Sequence, residues 1–165
     1  MSDATVQKIP QTGWLGPMFV ILIGTFMALL DSSVINVALP KIMTVFGAGT
    51  EDVEWVSTAY ILVLGVVETL SGWLGNRLGL KRLYIFAMAT FAFGSLLCTL
   101  SWNVNSLIAA RVVQAIGGGT LVTTSMAMVY RIVPREKIGT AMGIYMIAVL
   151  VAPAIGPTLV RHLRP

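Results

Sequence analysis

Charged residues are scarce in this chain. Asp, Glu, Lys and Arg make up only 11% of its 165 residues, whereas 56% of the residues are hydrophobic. A soluble domain carries about 25% charged residues, so the composition excludes an ordinary soluble protein and indicates a membrane protein with several spans. The net charge of +4 does not indicate a nucleic-acid partner, because the basic residues lie between apolar segments, as they do in cytoplasmic loops.

Cysteine and histidine are rarer still. Cys98 is the only cysteine and lies inside an apolar segment, which excludes an intrachain disulfide and a cluster of metal-binding thiolates. His162 is the only histidine, and one imidazole near the end of the sequence does not form a metal site. The sequence therefore predicts neither a metal nor a cofactor.

Long apolar segments are what the sequence has instead. Five of them can each cross a hydrocarbon layer of about 30 Å as a helix that rises about 1.5 Å per residue. We predict an all-α membrane protein whose spans cover residues 14–37, 55–73, 83–100, 107–129 and 138–159. The first segment exceeds the apolar core of about 7–15 residues of a cleavable signal peptide, so we interpret it as a retained helix. The membrane unit, residues 14–160, lies between tails at 1–13 and 161–165.

Breakers and capping residues separate these spans. Pro40, Gly47 and Gly49 are expected to break the chain after the first span, and Thr50, followed by two acidic residues, suits the start of the second helix. Asn105 or Ser106 is expected to cap the fourth helix, and Pro134 suits the first turn of the fifth.

The basic residues predict the orientation. A cytoplasmic N-terminus leaves Lys41 as the one basic residue of the outer loops, which indicates a multi-pass protein of the plasma (inner) membrane. The tail disagrees, because Arg161 and Arg164 would lie outside after five spans, and we expect a truncated or frameshifted product. The basic residues on the predicted inner side are Lys8, Arg77, Lys81, Arg82, Arg131, Arg135 and Lys137.

Three ionisable residues lie inside the predicted spans: Asp31, Glu68 and Arg111. Asp31 and Arg111 are each about 10 Å from the outer end of their helices, so they share a level and are expected to pair. The alternative to a functional pair is a structural ion pair that locks two helices. Glu68 lies on another level, where it either faces a water-filled cavity together with Tyr60 or reaches inward toward Arg82.

Glycine and proline mark sites of close packing. Gly117, Gly118 and Gly119 follow Arg111 within one span, and small residues let membrane helices approach closely. The pair Gly139 and Gly143 has the same expected effect in the fifth span. Two prolines of that span, Pro153 and Pro157, remove backbone donors and are expected to kink it.

Four segments, in order, resemble motifs of the major facilitator superfamily, most closely those of its fourteen-helix drug:proton antiporter branch. Residues 30–40 resemble the first-helix motif of that branch, and residues 72–82 the signature between helices two and three. Residues 107–119 resemble the fourth-helix motif, and residues 152–157 the antiporter motif of helix five. The resemblance covers residues 30–159. Within it, Asn76 stands where the family usually has Asp, and Glu68 matches none of the four motifs.

The resemblance implies a fold in which this chain supplies helices 1–5 of a six-helix N-terminal half. It implies export of lipophilic, in part cationic, compounds in exchange for protons, by a protein that needs further helices or a partner chain. The residues matched to proton coupling are Asp31 and Arg111. The residues matched to the gating loop are Gly72, Asn76, Arg77, Gly79 and Lys81, and those matched to the antiporter motif are Pro153, Gly156 and Pro157. The residues expected on physical grounds to line a substrate cavity are Tyr60, Glu68 and Gln114.

Two other functions compete with transport. The chain would be a non-transporting small membrane protein if it is a decayed fragment or docks on another transporter. A membrane enzyme is disfavoured, because the spans show no nucleophile–base pair, phosphate loop or metal-ligand spacing. We therefore expect that the protein is not an enzyme and that the 165-residue chain does not transport alone.

Overall fold

The computed structural model describes residues 13–162, with side chains up to residue 156. Its five long helices are α1 (Leu15–Phe46), α2 (Thr50–Leu78), α3 (Leu80–Thr99), α4 (Val104–Ile132) and α5 (Ile138–His162). A short 3-10 helix, Arg135–Lys137, precedes α5. All five long helices are long and apolar enough to cross a membrane, which confirms the predicted all-α fold. The predicted tail at 1–13 lies almost wholly outside the described residues.

The first helix is longer than predicted: of the residues expected to break the chain after it, Pro40 does not end the helix and Gly47 does. Pro40 lies inside α1, which continues to Phe46 and ends at Gly47, whose φ of 61° is left-handed. A proline costs a helix one backbone hydrogen bond, and a membrane helix tolerates that loss when nearby groups replace it. The bond lost here is the one that the Asn36 carbonyl, four residues earlier, would accept. The Thr44 hydroxyl donates to the carbonyl of Pro40 itself, at 3.0 Å, and does not replace that bond.

Other helix ends match the predicted chemistry more closely. Helix α2 begins at Thr50 and carries Glu51 and Asp52 in its first turn, as predicted. The cap of α4 is Asn103, not Asn105 or Ser106, because α4 begins earlier than its apolar residues suggest. The Asn103 side chain accepts from the Ser106 backbone N–H at 2.7 Å, so Ser106 completes a capping box at the third position of the helix.

Helix α4 is the centre of the bundle. It packs most extensively against α3 and α2 and also contacts α1, whereas α5 packs mainly against α1. Close approach depends on glycine: a Cβ at Gly117 would overlap the Phe91 backbone nitrogen and lie 2.7 Å from the Ala87 carbonyl oxygen. Gly94 of α3 likewise lies against the Gln114 backbone. The predicted packing role of the Gly117–Gly119 run is therefore present in the structure.

The second pair of glycines behaves differently. Among the described residues, no atom lies within 4 Å of the position of a Cβ at Gly139 or Gly143, so these two glycines do not bring together any of the five helices. They lie on exposed parts of α5, because α5 contacts α1 through another face. The four-residue spacing of two small residues shows that they share one face of a helix, but it does not show whether that face packs against another helix.

Candidate functional site

Three side chains from α1 and α4 form a closed ring of hydrogen bonds. Nη1 of Arg111 donates to Oδ2 of Asp31 and to Oε1 of Gln114, at 2.6 Å in each case. Nε2 of Gln114 donates in turn to Oδ1 of Asp31 at 3.0 Å. Gln114 thus contacts both charges, and the predicted Asp31–Arg111 contact is present. We call these three residues the charge triad.

Asp31 and Arg111 are in contact as predicted, although the predicted end of α1, from which the depth of Asp31 was counted, is wrong. Arg111 lies seven residues from the start of α4, or about 10 Å. Asp31 lies fifteen residues from the end of α1, or about 22 Å, because that helix continues beyond its predicted end. The two charges meet although the helices do not end at the same height.

The two charges differ in accessibility. The Arg111 side chain is 1% exposed, whereas that of Asp31 is 26% exposed. The guanidinium lies over the Tyr60 ring of α2, with Cζ 4.1 Å from the ring centroid, an arrangement that favours a cation over an aromatic face. Among the described residues, Nε and Nη2 of Arg111 have no hydrogen-bond partner. Arg111 is therefore enclosed, and Asp31 is the member of the pair that a proton or solute can reach.

Glycine also determines how Tyr60 fits. A Cβ at Gly118 would lie 2.7 Å from the Tyr60 hydroxyl oxygen, so only glycine lets this ring reach beneath Arg111. Tyr60 is 2% exposed and thus supports the triad rather than lining an open cavity. Gln114, which is 1% exposed, is likewise a member of the enclosed network.

A cleft of about 320 Å³ opens beside the triad. Its lining includes all three triad residues, together with Cys98 of α3 and Leu107 of α4. The Cys98 thiol lies 3.6 Å from Oε1 of Gln114. This contact is not predictable from the sequence, because the periodicity of α3 does not indicate which side chain of a neighbouring helix Cys98 meets.

Glu68 does not belong to the triad. It is partly buried on α2, and the Asp31–Arg111 contact is the only salt bridge among the described residues, so Glu68 is not paired with Arg82. Its Cγ lies 3.5 Å from the position of a Cβ at Gly119. The Glu68 side chain therefore lies beside the central helix, nearer than Tyr60 to the C-terminal end of α2.

The predicted gating loop is a single residue between two helices. Gly79 joins α2 to α3 with a φ of 85°, a left-handed conformation that favours glycine. Asn76 and Lys81 are exposed, and the Arg77 guanidinium lies 4.5 Å from the centroid of the Trp73 ring. Gly72 is exposed on the last turns of α2.

The predicted antiporter motif contacts α1. The Ser33 hydroxyl donates to the Pro153 carbonyl at 2.9 Å, and Gly156 lies so close to Ser33 that a Cβ would overlap its hydroxyl. The Pro157 side chain lies outside the described ones. Ser33 lies in residues 30–40, the segment that resembles the first-helix motif, but its position in the sequence does not indicate that it contacts α5.

The described residues contain no group of three His, Cys, Asp or Glu side chains placed to hold a metal ion. Asp31 and Arg111 are instead engaged with each other, and Arg111 also with the Tyr60 ring. The arrangement can therefore exchange a proton or bind a charged solute, but it offers no metal-ligand set in this part of the chain.

One family model and several known proteins match most of this chain. The model described as Major Facilitator Superfamily matches residues 21–163. YhcA of Bacillus subtilis, an uncharacterized MFS-type transporter, is 39% identical over 142 residues, which are 86% of this chain and 27% of YhcA. MdtD of Yersinia pestis, named as a candidate multidrug resistance protein, is 36% identical over 142 residues, or 86% of this chain and 30% of MdtD. The chain spans less than a third of the length of these relatives.

Proposed function

Because this chain belongs to the major facilitator superfamily, we propose that it supplies the first five helices of a proton-coupled multidrug efflux antiporter. The family supports a role in transport across a membrane, and the name of MdtD supports drug-like substrates. The single observation that carries the proton-coupled mechanism is the unequal exposure of the charge triad, 26% for Asp31 and 1% for Arg111.

This asymmetry suits a proton switch. When Asp31 is ionised, it neutralises Arg111 and accepts from Gln114. Protonation of Asp31 from the accessible side removes the charge that Arg111 faces. A buried guanidinium without a counter-charge is costly by several kcal/mol, so the helices that hold it are driven to rearrange. Release of the proton restores the ion pair, and lipophilic solutes are exchanged for protons in this cycle.

Transport by alternating access requires surfaces that move against each other. In this superfamily the site lies between two six-helix halves near the bilayer midplane. We infer that further helices, in the same polypeptide or in a partner, complete the site, and that the five-helix chain alone does not transport. The short share of each relative that it matches supports this inference. The Asn76–Lys81 segment would act as the gate at the cytoplasmic face, and its asparagine would bring no charge to that gate.

A chimera tests the mechanism. This chain replaces the matching segment of MdtD, and proton release on addition of ethidium is followed in everted membrane vesicles with a pH-sensitive dye. Asp31→Asn is expected to lower drug-induced proton release at least tenfold, because the amide cannot take up and release a proton. Asp52→Asn, which removes an exposed acid from the first turn of α2, is the matched control and should have little effect.

Two results would contradict the proposal. Undiminished proton release by the Asp31→Asn chimera would remove Asp31 from the coupling mechanism. Proton-coupled efflux by the 165-residue chain alone in liposomes would show that five helices suffice. If neither the chimera nor the chain moves ethidium or protons while MdtD does, a non-transporting membrane protein becomes the better description.

A further inference from the structure

The charges within the spans do not balance. Asp31 neutralises Arg111, which leaves Glu68 as a carboxylate without an ion-pair partner among the described residues. A carboxylate in or beside a hydrocarbon layer is costly unless a proton, a cation or water compensates its charge. The charge of Glu68 therefore needs a partner that the described part of the chain does not supply.

The position of Glu68 is fixed by α4. Its Cγ and the Leu64 carbonyl both lie against Gly119, where a Cβ would be 3.5 Å from the former and 2.9 Å from the latter. Glu68 is thus on the side of α2 that turns toward the other helices, at the edge of the packed surface.

The backbone beside Glu68 is uncovered. Gly65 and Gly72 lie three residues before and four residues after it, so all three share one face of α2. Within the part of the chain that the structure describes, neither glycine has an atom within 4 Å of the position of a Cβ. A bulky group can therefore approach the carboxylate from the side on which these glycines lie.

This position is distinct from the charge triad. Tyr60, which supports Arg111, and Glu68 are eight residues apart, so the carboxylate lies about 12 Å farther along α2 toward its C-terminal end. A proton on Asp31 and a solute at Glu68 would consequently occupy different carboxylates. A solute can therefore bind at Glu68 without displacing the proton from Asp31.

We propose that Glu68 and the open glycine face formed by Gly65 and Gly72 bind the charged group of lipophilic cations, so that Glu68 selects cations over neutral or anionic solutes. The inference rests on the proposed transport function and assigns its substrate selectivity to one residue. An ionised carboxylate attracts a monovalent cation more strongly at a partly dehydrated site than in water. The two glycines leave room for the bulky substituents of that cation.

The test compares two probes of the same shape and opposite charge, tetraphenylphosphonium and tetraphenylborate. Binding to the full 165-residue chain in lipid nanodiscs is measured by equilibrium dialysis, with empty nanodiscs subtracted. Glu68→Gln is expected to weaken tetraphenylphosphonium binding at least tenfold without weakening tetraphenylborate binding. Glu68→Asp, which keeps the charge, should retain affinity within about threefold.

A second pair of variants tests the space rather than the charge. Gly65→Leu fills the open face but keeps Glu68, and it is expected to weaken tetraphenylphosphonium binding at least fivefold. Gly139→Leu, at an equally open glycine on α5, is the matched control and should leave binding unchanged. Helicity from circular dichroism shows that each variant is folded.

Three results would overturn the inference: no tetraphenylphosphonium binding above empty nanodiscs, unchanged binding by Glu68→Gln, or equal effects of Gly65→Leu and Gly139→Leu. None of these measurements follows proton movement. If Glu68→Gln does not weaken tetraphenylphosphonium binding, the proposed role of Asp31 in proton coupling still stands. If Asp31→Asn does not lower proton release, the proposed cation site at Glu68 still stands.

Discussion

At the scale of single residues, Gln114 determines the geometry of the charge triad. Its amide oxygen accepts from Arg111 and its amide nitrogen donates to Asp31, so one side chain holds both members of the ion pair. Arg111 is 1% exposed, so water does not replace a lost hydrogen bond at its guanidinium, and two of its nitrogens already have no partner within the described residues. An unsatisfied buried group costs about 1–3 kcal/mol.

Gln114→Leu is expected to lower the free energy of unfolding by about 1–3 kcal/mol, because it removes one hydrogen bond from buried Arg111 and one from partly exposed Asp31 and nearly preserves side-chain volume. Unfolding by SDS, followed by circular dichroism, measures the change. Asn105→Leu makes the same kind of replacement at an exposed position of α4 and is the matched control. Equal stability of the two variants would show that the amide does not hold the ion pair.

At the scale of helices, the glycine run of α4 determines which neighbours it can contact. Gly117 admits the backbone of α3, Gly118 admits the Tyr60 ring, and Gly119 admits the α2 backbone at Leu64. Consecutive residues point about 100° apart, so three successive glycines open three directions. This is why α4 packs closely against two helices at the level just beyond Arg111.

Gly117→Ala is expected to destabilise the chain by about 1–3 kcal/mol, since its Cβ would overlap the α3 backbone and force the helices apart. Gly139→Ala adds the same methyl group at an open position of α5. It is expected to be neutral or to stabilise by up to about 1 kcal/mol, because alanine favours helix more than glycine does. SDS unfolding distinguishes the two, and a similar loss for both would contradict close packing at Gly117.

At the scale of the whole molecule, orientation decides which end of the bundle meets the cytoplasm. The positive-inside pattern predicts that the α3–α4 connection is outside and that the short helix before α5 is inside. Trp102 in the first segment is 79% exposed, and Glu136 in the second is exposed as well. Both positions are therefore accessible to a water-soluble reagent.

In a Cys98→Ser background, Trp102→Cys is expected to react with a membrane-impermeant maleimide in intact cells. Glu136→Cys is expected to react only after permeabilisation, because its segment carries the basic residues predicted to stay in the cytoplasm. Mass shift on a gel measures the labelled fraction of each variant. The reverse pattern would show that the N-terminus lies outside, and the direction of the proposed transport would then be reversed.

Much of the site was predictable from the sequence, for identifiable reasons. Asp31 and Arg111 stand out because a charge in an apolar segment needs a partner, and depth along each helix restricted the choice. Predictions at two helix ends were wrong, because the apolar residues stop before the helix does: Pro40 does not end α1, and the cap of α4 is Asn103 rather than Asn105 or Ser106. The contacts of Ser33 with Pro153 and of Cys98 with Gln114 were not predicted. Each contact joins two helices, and the spacing of residues along one helix does not show which side of it faces the other.

The sequence by itself determined the five spans, the all-α class and the family, because apolar length and ordered motifs are properties of the chain read along its length. The tertiary structure decided that Gln114 joins the ion pair, that Tyr60 lies beneath Arg111, and that the glycines of α4 are packed whereas those of α5 at 139 and 143 are open. The physical reason is that hydropathy records the average environment of a segment. Which face of each helix meets a neighbour depends on the packing of all the helices together.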